Sequence, residues 1–353
     1  MRSKRTGLRV TPSFHPRLVN GRYGDPALFV DRAHERGALL FDLGDLHPLS
    51  ARDLLRVTHA FVSHMHMDHF VGFDSWLRVL VGREKQVDLV GPEGLIDAVG
   101  HKLRAYTWDL VSRYDTDLVI DVAELVAPDR LRRARYRFLT GFAREELGEA
   151  DAPGGLVART PAFSVHAAIL EHHGPSLGFA LTEPVHVNVW RNRVEERGLA
   201  VGPWLKPLKE AIRDGAPDDT VITLPDGTAE LGTLRDLVSV EPGQKLGYIT
   251  DIRDTPANRA AVAALCDGAD TLFIEASFAA DEAERARDRA HLTTTAAGEI
   301  ARAAQARRVE PFHFSSRNEG REAEMLLEVE AAFAPTPLPL SRAHQVGHAP
   351  GMT

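Results

Sequence analysis

The sequence predicts an α/β layered fold with one inserted module. Short apolar runs bounded by Gly or charged residues alternate with segments of helical spacing from about residue 27 to 112. The same alternation returns after about residue 245. Between them, residues 183–243 break the pattern with Gly202-Pro203, a run of cations and the turn Pro225-Asp226-Gly227. A chain of 353 residues, 44% hydrophobic and 26% charged, can bury a core without covalent staples.

The first strands are Ala27–Val30 and Ala38–Asp42, each a short apolar run. Val57–Ser63 is β-branched and runs straight into a histidine cluster. Phe70–Arg78 has helical spacing, Val87–Val90 is a strand ended by Gly91-Pro92, and residues 93–112 are expected to form a helix. Residues 130–144 hold six arginines and no acid. A solvated face explains such a run more economically than a phosphate-contacting patch. The inserted segment is expected to be helical first and then a small hairpin. Lys245–Thr250 and Thr271–Ile274 are strands, Ala296–Ala306 is an Ala-rich helix, and Arg308–Phe312 is a strand that meets His313. Residues 334–353, rich in Pro, Ala and His, are expected to form a loose tail.

Composition narrows the function. With 42 basic and 50 acidic residues the net charge is −8, which argues against a chain coated in positive charge but leaves room for a local basic groove. Cys266 is the only cysteine, so an internal disulfide and a cysteine-based zinc site are both excluded. The opening MRSKRTGLRV has no apolar stretch behind it, so a secretory leader is not expected. No apolar run approaches the ~18 residues of a membrane span. A soluble cytoplasmic protein with no membrane partner is the expectation.

The strongest local signal is Ser63-His64-Met65-His66-Met67-Asp68-His69. In an extended segment, residues two apart share a side, so His64 and His66 could grip one cation. Asp68 and His69 follow where the chain turns toward a helix and could grip a second. Imidazole and carboxylate suit Zn²⁺, with Mn²⁺ or Fe²⁺ as weaker alternatives. Further ligands must come from other strand ends. The candidates are Glu171-His172-His173, Asp251 and His313. A carboxylate between two cations can bridge them, and Asp251 is the expected bridge.

These residues resemble the metallo-β-lactamase superfamily, and within it the ribonuclease Z branch of tRNA 3′-processing endonucleases. His64 to His69 resembles the HxHxDH motif, and Leu170–Phe179 resembles the LDHxxPxLGY segment, which singles out His172 over His173. Asp251 falls at the bridging aspartate. Ala269–Phe278, His291-Leu292-Thr293-Thr294 and His313-Phe314-Ser315-Ser316-Arg317 resemble ADLLIHEATF, the HST loop and the HFSSR ending. The chain departs from the branch at Arg9–Phe14, where a glycine-rich opening is usual, at Met67 in place of glycine, and at Ile252 and Ile274. Residues 105–160 have no counterpart that can be placed.

The resemblance implies an αββα sandwich over residues 1–333 with an arm at about 183–243. It implies two divalent cations on His64, His66, Asp68, His69, His172, Asp251 and His313. A hydroxide shared by the cations would attack a phosphodiester, with Asp68 as general base. Glu275 would orient His291, which would protonate the leaving oxygen. Gly202, Pro203, Lys206 and Lys209 of the arm, and Arg317, would contact substrate, with Arg213 nearby adding positive charge. Precursor tRNA is the implied substrate and a homodimer the implied assembly. The alternative is a phosphodiesterase of the same fold acting on small or cyclic nucleotides. The Glu275, His291 and HFSSR set argues against a glyoxalase-type thioesterase. A non-catalytic RNA-binding relative fits poorly with seven competent ligand positions.

Overall fold

A computed structural model describes residues 13–32 and 37–334. Two sheets pack face to face. The first runs in the order β1 (Phe14–Leu18), β2 (Leu28–Arg32), β3 (Ala38–Phe41), β4 (Val57–Phe61), β5 (Lys85–Pro92), β6 (Leu118–Ala127), β7 (Arg130–Arg137) and β8 (Arg144–Asp151). β3 to β6 are parallel and the flanking pairs antiparallel. The second sheet begins with β9 (Leu156–Arg159), β10 (Ser164–Glu171) and β11 (Pro175–Thr182). The chain then leaves to form β12 (His186–Val189), β13 (Val221–Leu224), β14 (Gly227–Glu230) and β15 (Val238–Glu241) before returning as β16 (Lys245–Ile249), β17 (Thr271–Glu275) and β18 (Val309–Phe312). The second sheet is ordered β18-β17-β16-β11-β10-β9, with β16, β17 and β18 parallel.

Alternation of side chains across a strand sets the layers. In β2, Leu28 and Val30 join the core between the sheets, and Phe29 joins the core on the other side. In β3, Leu39 and Phe41 point to the second sheet while Ala38 and Leu40 point away from it. In β17, Phe273 points inward and Leu272 and Ile274 outward. Both faces of both sheets are therefore apolar and need cover. Helices Phe73–Leu80 and Leu95–Arg104 cover the first sheet. Helices Pro256–Leu265, Thr294–Ala303 and Glu322–Phe333 cover the second. The result is the expected αββα sandwich.

The inserted segment has its own small core of Val187, Val194, Trp204, Leu208, Ile212, Ile222, Leu231, Leu234 and Leu237. Helices Arg191–Glu196 and Leu205–Arg213 precede the hairpin β13–β14, in the expected order. β12 and β15 pair antiparallel at its root.

One expectation is corrected and one unplaced stretch finds its place. The helix expected at 93–112 stops at Arg104, where the Trp108 indole N–H donates to the Leu103 carbonyl at 2.8 Å and turns the chain back. The unplaced stretch 105–160 widens the first sheet through β6, β7 and β8. Five of the six arginines of 130–144 are paired: Arg130 with Glu149, Arg132 with Glu93 and Glu124, Arg135 with Asp121, Arg137 with Asp117, and Arg144 with Asp97 and Glu146. Carboxylates from neighbouring elements already neutralise these cations, so a paired strand face accounts for the run better than a phosphate patch. Arg9 to Pro12 and the tail from 335 lie outside the described residues.

Candidate metal centre

Parallel strands of both sheets end at one place. Asp42 follows β3, Ser63 and His64 follow β4, Asp251 follows β16, Glu275 ends β17 and His313 follows β18. The turn from β10 to β11 adds His172. Two backbone hydrogen bonds stitch the histidine loop to the residues after Asp42: Leu43 N–H to the His69 carbonyl at 2.9 Å, and Gly72 N–H to the Leu43 carbonyl at 2.7 Å. A Cβ at Gly72 would collide with the Gly44 carbonyl, which explains glycine there.

All seven expected ligands converge. Ligand atoms of His64, His66, His172 and Asp251 lie within 4.8 Å of one another, as do those of Asp68, His69 and His313. Asp251 faces both groups. Its Oδ2 is 3.6 Å from His64, 3.4 Å from His69 and 3.7 Å from His172, and its Oδ1 is 3.0 Å from His313. Asp68 lies 3.5 Å from both His69 and His313. The Nε2 atoms of His64 and His69 are buried without a hydrogen-bond partner. A buried polar atom is rarely left so, and here both sit among ligand-type atoms. The donor set fits divalent cations such as Zn²⁺.

Electrostatics agree with that fit. Burial opposes charge on His313, yet the Asp251 carboxylate outweighs it and lifts its pKa to about 10. Burial likewise opposes charge on His69, and Asp251 and Asp42 hold its pKa well above normal. Burial works against the charge of Asp251, but His313 and His69 keep it ionised far below the usual range. The Asp68 carboxyl is drawn to about 2 by His313 and His69, against its burial. His64 is pushed down to about 2 by burial and by His69. The carboxylates thus call for positive charge, which bound cations supply while displacing ligand protons.

A second set of residues holds the ligands in place. Asp42, fully buried, accepts Ser63 N–H at 2.6 Å, Ser63 O–H at 2.9 Å and Tyr248 O–H at 2.9 Å, and its Oδ2 lies 2.9 Å from His69 Nδ1. His172 Nδ1 lies 2.8 Å from the Ala290 carbonyl. Asp42, Asp251, Ala290 and His313 all have positive φ, at 58°, 43°, 56° and 57°. Each such position costs about 1–3 kcal/mol unless its surroundings over-determine it. Asp42, Ser63 and Tyr248 were not expected as site residues. The one signal for Asp42 is a carboxylate directly after a wholly apolar run.

Glu275 is fully buried. Its Oε1 accepts Ile252 N–H at 2.8 Å, and its Oε2 accepts Ser277 O–H at 2.7 Å and lies 3.1 Å from His291 Nδ1. Burial opposes charge on His291, but Glu275 outweighs it and raises its pKa. A ring nitrogen of His291 also lies within 4.8 Å of ligand atoms of Asp251 and His313. His173 is exposed, with Nε2 3.1 Å from the Arg289 carbonyl, and takes no place among the ligand groups. Met67 is 81% exposed beside the cluster, so its side chain fits where glycine is usual.

Gly202, Pro203, Lys206 and Lys209 lie on the arm, outside the histidine cluster, with Lys206 and Pro203 exposed. Arg317 is exposed four residues beyond His313. A cleft of about 1590 Å³ lies at the opposite strand ends, lined by residues such as Arg17, Lys245, Thr271 and Arg308, and contains none of the cluster.

An αββα sandwich that gathers histidines and aspartates at its parallel strand ends defines a metallo-β-lactamase-fold hydrolase. A family model described as a beta-lactamase superfamily domain matches residues 231–314. Similarity extends over most of the chain to ribonuclease Z of Deinococcus radiodurans, 32% identical over 88% of this chain and 92% of that protein. Ribonuclease Z of Anoxybacillus flavithermus is 31% identical over 88% of this chain and 87% of its own. Unliganded yeast PDE1 shares the fold, with a TM-score of 0.52 at 10% identity, covering 91% of this chain and 94% of that one. The chain belongs to the ribonuclease Z family and is a metal-dependent phosphodiesterase.

Proposed function

We propose that the chain is an endonuclease that cleaves the 3′ trailer from precursor tRNA with two divalent cations, zinc foremost. One observation supports this above the rest: the buried Glu275 carboxylate held on His291 Nδ1 beside the cluster, which leaves the other ring nitrogen to donate a proton. In this assignment His64, His66, His172 and Asp251 would hold one cation, and Asp68, His69, His313 and Asp251 the other. Bound there, the pair supplies Lewis acidity that acidifies water near neutral pH and neutralises phosphoryl charge.

The chain's own groups do the rest. Asp68, half-buried and strongly acidic, accepts the proton of the attacking water. Glu275 favours the doubly protonated His291, which gives its outer proton to the departing 3′ oxygen. Asp42 and the Ala290 carbonyl set the tautomers of His69 and His172, so that Nε2 of each is the lone-pair nitrogen. Lys206, Lys209 and Arg317, with the Gly202-Pro203 turn, contact RNA phosphates, and the chain acts as a homodimer in the cytoplasm.

The test is incubation of the purified chain with a precursor tRNA and with bis-p-nitrophenyl phosphate, each with and without chelator. Chelator-sensitive cleavage of the precursor at the trailer junction is expected. Hydrolysis of the small ester alone would replace the tRNA assignment with a small-phosphodiester activity.

A further inference from the structure

We propose that Asn258 is a positioning residue for one of the two cation sites, a role that rests on the metal-centre assignment above. Asn258 is buried in helix Pro256–Leu265, three residues after the Thr255 cap, and belongs to no ligand group. Its side chain points away from the helix's own hydrogen bonding. Oδ1 accepts the Glu171 N–H at 3.0 Å, and Nδ2 donates to the Glu171 carbonyl at 2.8 Å and to the Arg253 carbonyl at 2.8 Å. One amide thereby satisfies both backbone groups of the residue before His172 and binds the residue two beyond Asp251.

The sheet cannot make this connection itself. β11 lies between β10, which ends at Glu171, and β16, which precedes Asp251. Beyond those strands the two segments are tied by Arg253 N–H to the Glu171 carbonyl at 2.8 Å, an Arg253–Glu171 ion pair at 3.2 Å, and Asn258, besides the approach of the ligands His172 and Asp251 themselves. Asp251 also sits at a φ of 43°, a conformation that neighbours must impose. Glu275 restrains it on one side through Ile252, and Asn258 restrains it on the other through Arg253. His69 and His313 are fixed by different groups, Asp42 and Ser277. Loss of the amide should therefore loosen the His64, His66, His172 and Asp251 group more than the Asp68, His69 and His313 group.

The zinc-loaded full chain is titrated with a chromophoric chelator, and the cation released is counted. In Asn258→Ala, one of two cations should be surrendered at about 10–100-fold lower chelator concentration, the usual scale for a group that orients a ligand. The second, which keeps Asp68, His69 and His313 but shares Asp251, should shift by a clearly smaller factor. Asn258→Asp keeps the shape but cannot donate to either carbonyl; it should match the alanine variant and serves if that one fails to fold. Val262→Ala, a core truncation in the same helix, should lower Tm and leave both release steps unchanged. Release from both Asn258 variants that equals the unaltered chain, or that Val262→Ala reproduces, overturns the proposal. An unaltered chain that binds no zinc fails the metal-centre assignment itself, before any variant is compared.

Discussion

At the residue scale, acid catalysis and metal holding fall to different histidines, and substitution separates them. His291→Ala should lower turnover by about 10²–10⁴, as loss of a proton donor does, with the cation count unchanged. Loss of a cation instead would make His291 a ligand, as its closeness to Asp251 and His313 permits. Because His291 donates as the imidazolium, kcat should fall as pH rises through its pKa. Glu275 raises that pKa, so Glu275→Gln should move the alkaline limb of the profile to lower pH. His59 offers a stability test away from the site. Burial, with Arg32 and Lys85 nearby, pushes its pKa from 6.5 to about 4. The unfolded chain then binds the proton more readily between those values. The His59 contribution is complete above pH 6.5 and is lost as pH falls toward 4, by up to about 3 kcal/mol. Urea unfolding at pH 7.5 and pH 5 should show a smaller loss in His59→Gln than in the unaltered chain.

The ligands were legible at this scale because their signal is local: all but His66 lie within two residues of an apolar run, and His66 shares one six-residue span with His64, Asp68 and His69. Asp42 and Asn258 were not, because their roles lie in contacts with partners far along the chain, such as Tyr248 for Asp42 and Glu171 for Asn258.

At the scale of elements, short apolar or β-branched runs that lead into a ligand or a turn were found: β3, β4, β16, β17 and β18. β1 and β7 escaped. β1 buries only Phe14, and β7 alternates apolar residues with arginines, several of whose partners sit on β6, β8 and at Glu93. β12 and β15 pair across some fifty residues, so no local pattern announces them. The arm's separate core gives it an independent test. Replacing residues 183–243 by a short linker should leave chelator-sensitive hydrolysis of bis-p-nitrophenyl phosphate and abolish tight precursor binding. With the arm present, binding should fall steeply with salt, and Lys206→Ala with Lys209→Ala should reduce the slope of log K against log salt by about 2. A salt-independent affinity would remove the arm from RNA contact.

Across the whole molecule, the layered sandwich aims parallel strand ends from both sheets at one point, and distant sequence segments meet there. Net charge of −8 is compatible with an RNA substrate because the chemistry is carried by this focused cluster, while Arg132, Arg135 and Arg137 of β7 are already paired with carboxylates. Among the described residues no helix is long and apolar enough to cross a membrane. The most direct test is anomalous diffraction at the zinc edge from crystals grown with zinc. Two peaks are predicted, one among His64, His66, His172 and Asp251 and one among Asp68, His69 and His313, with Asp251 touching both. A single peak, or none within this cluster, would contradict the account.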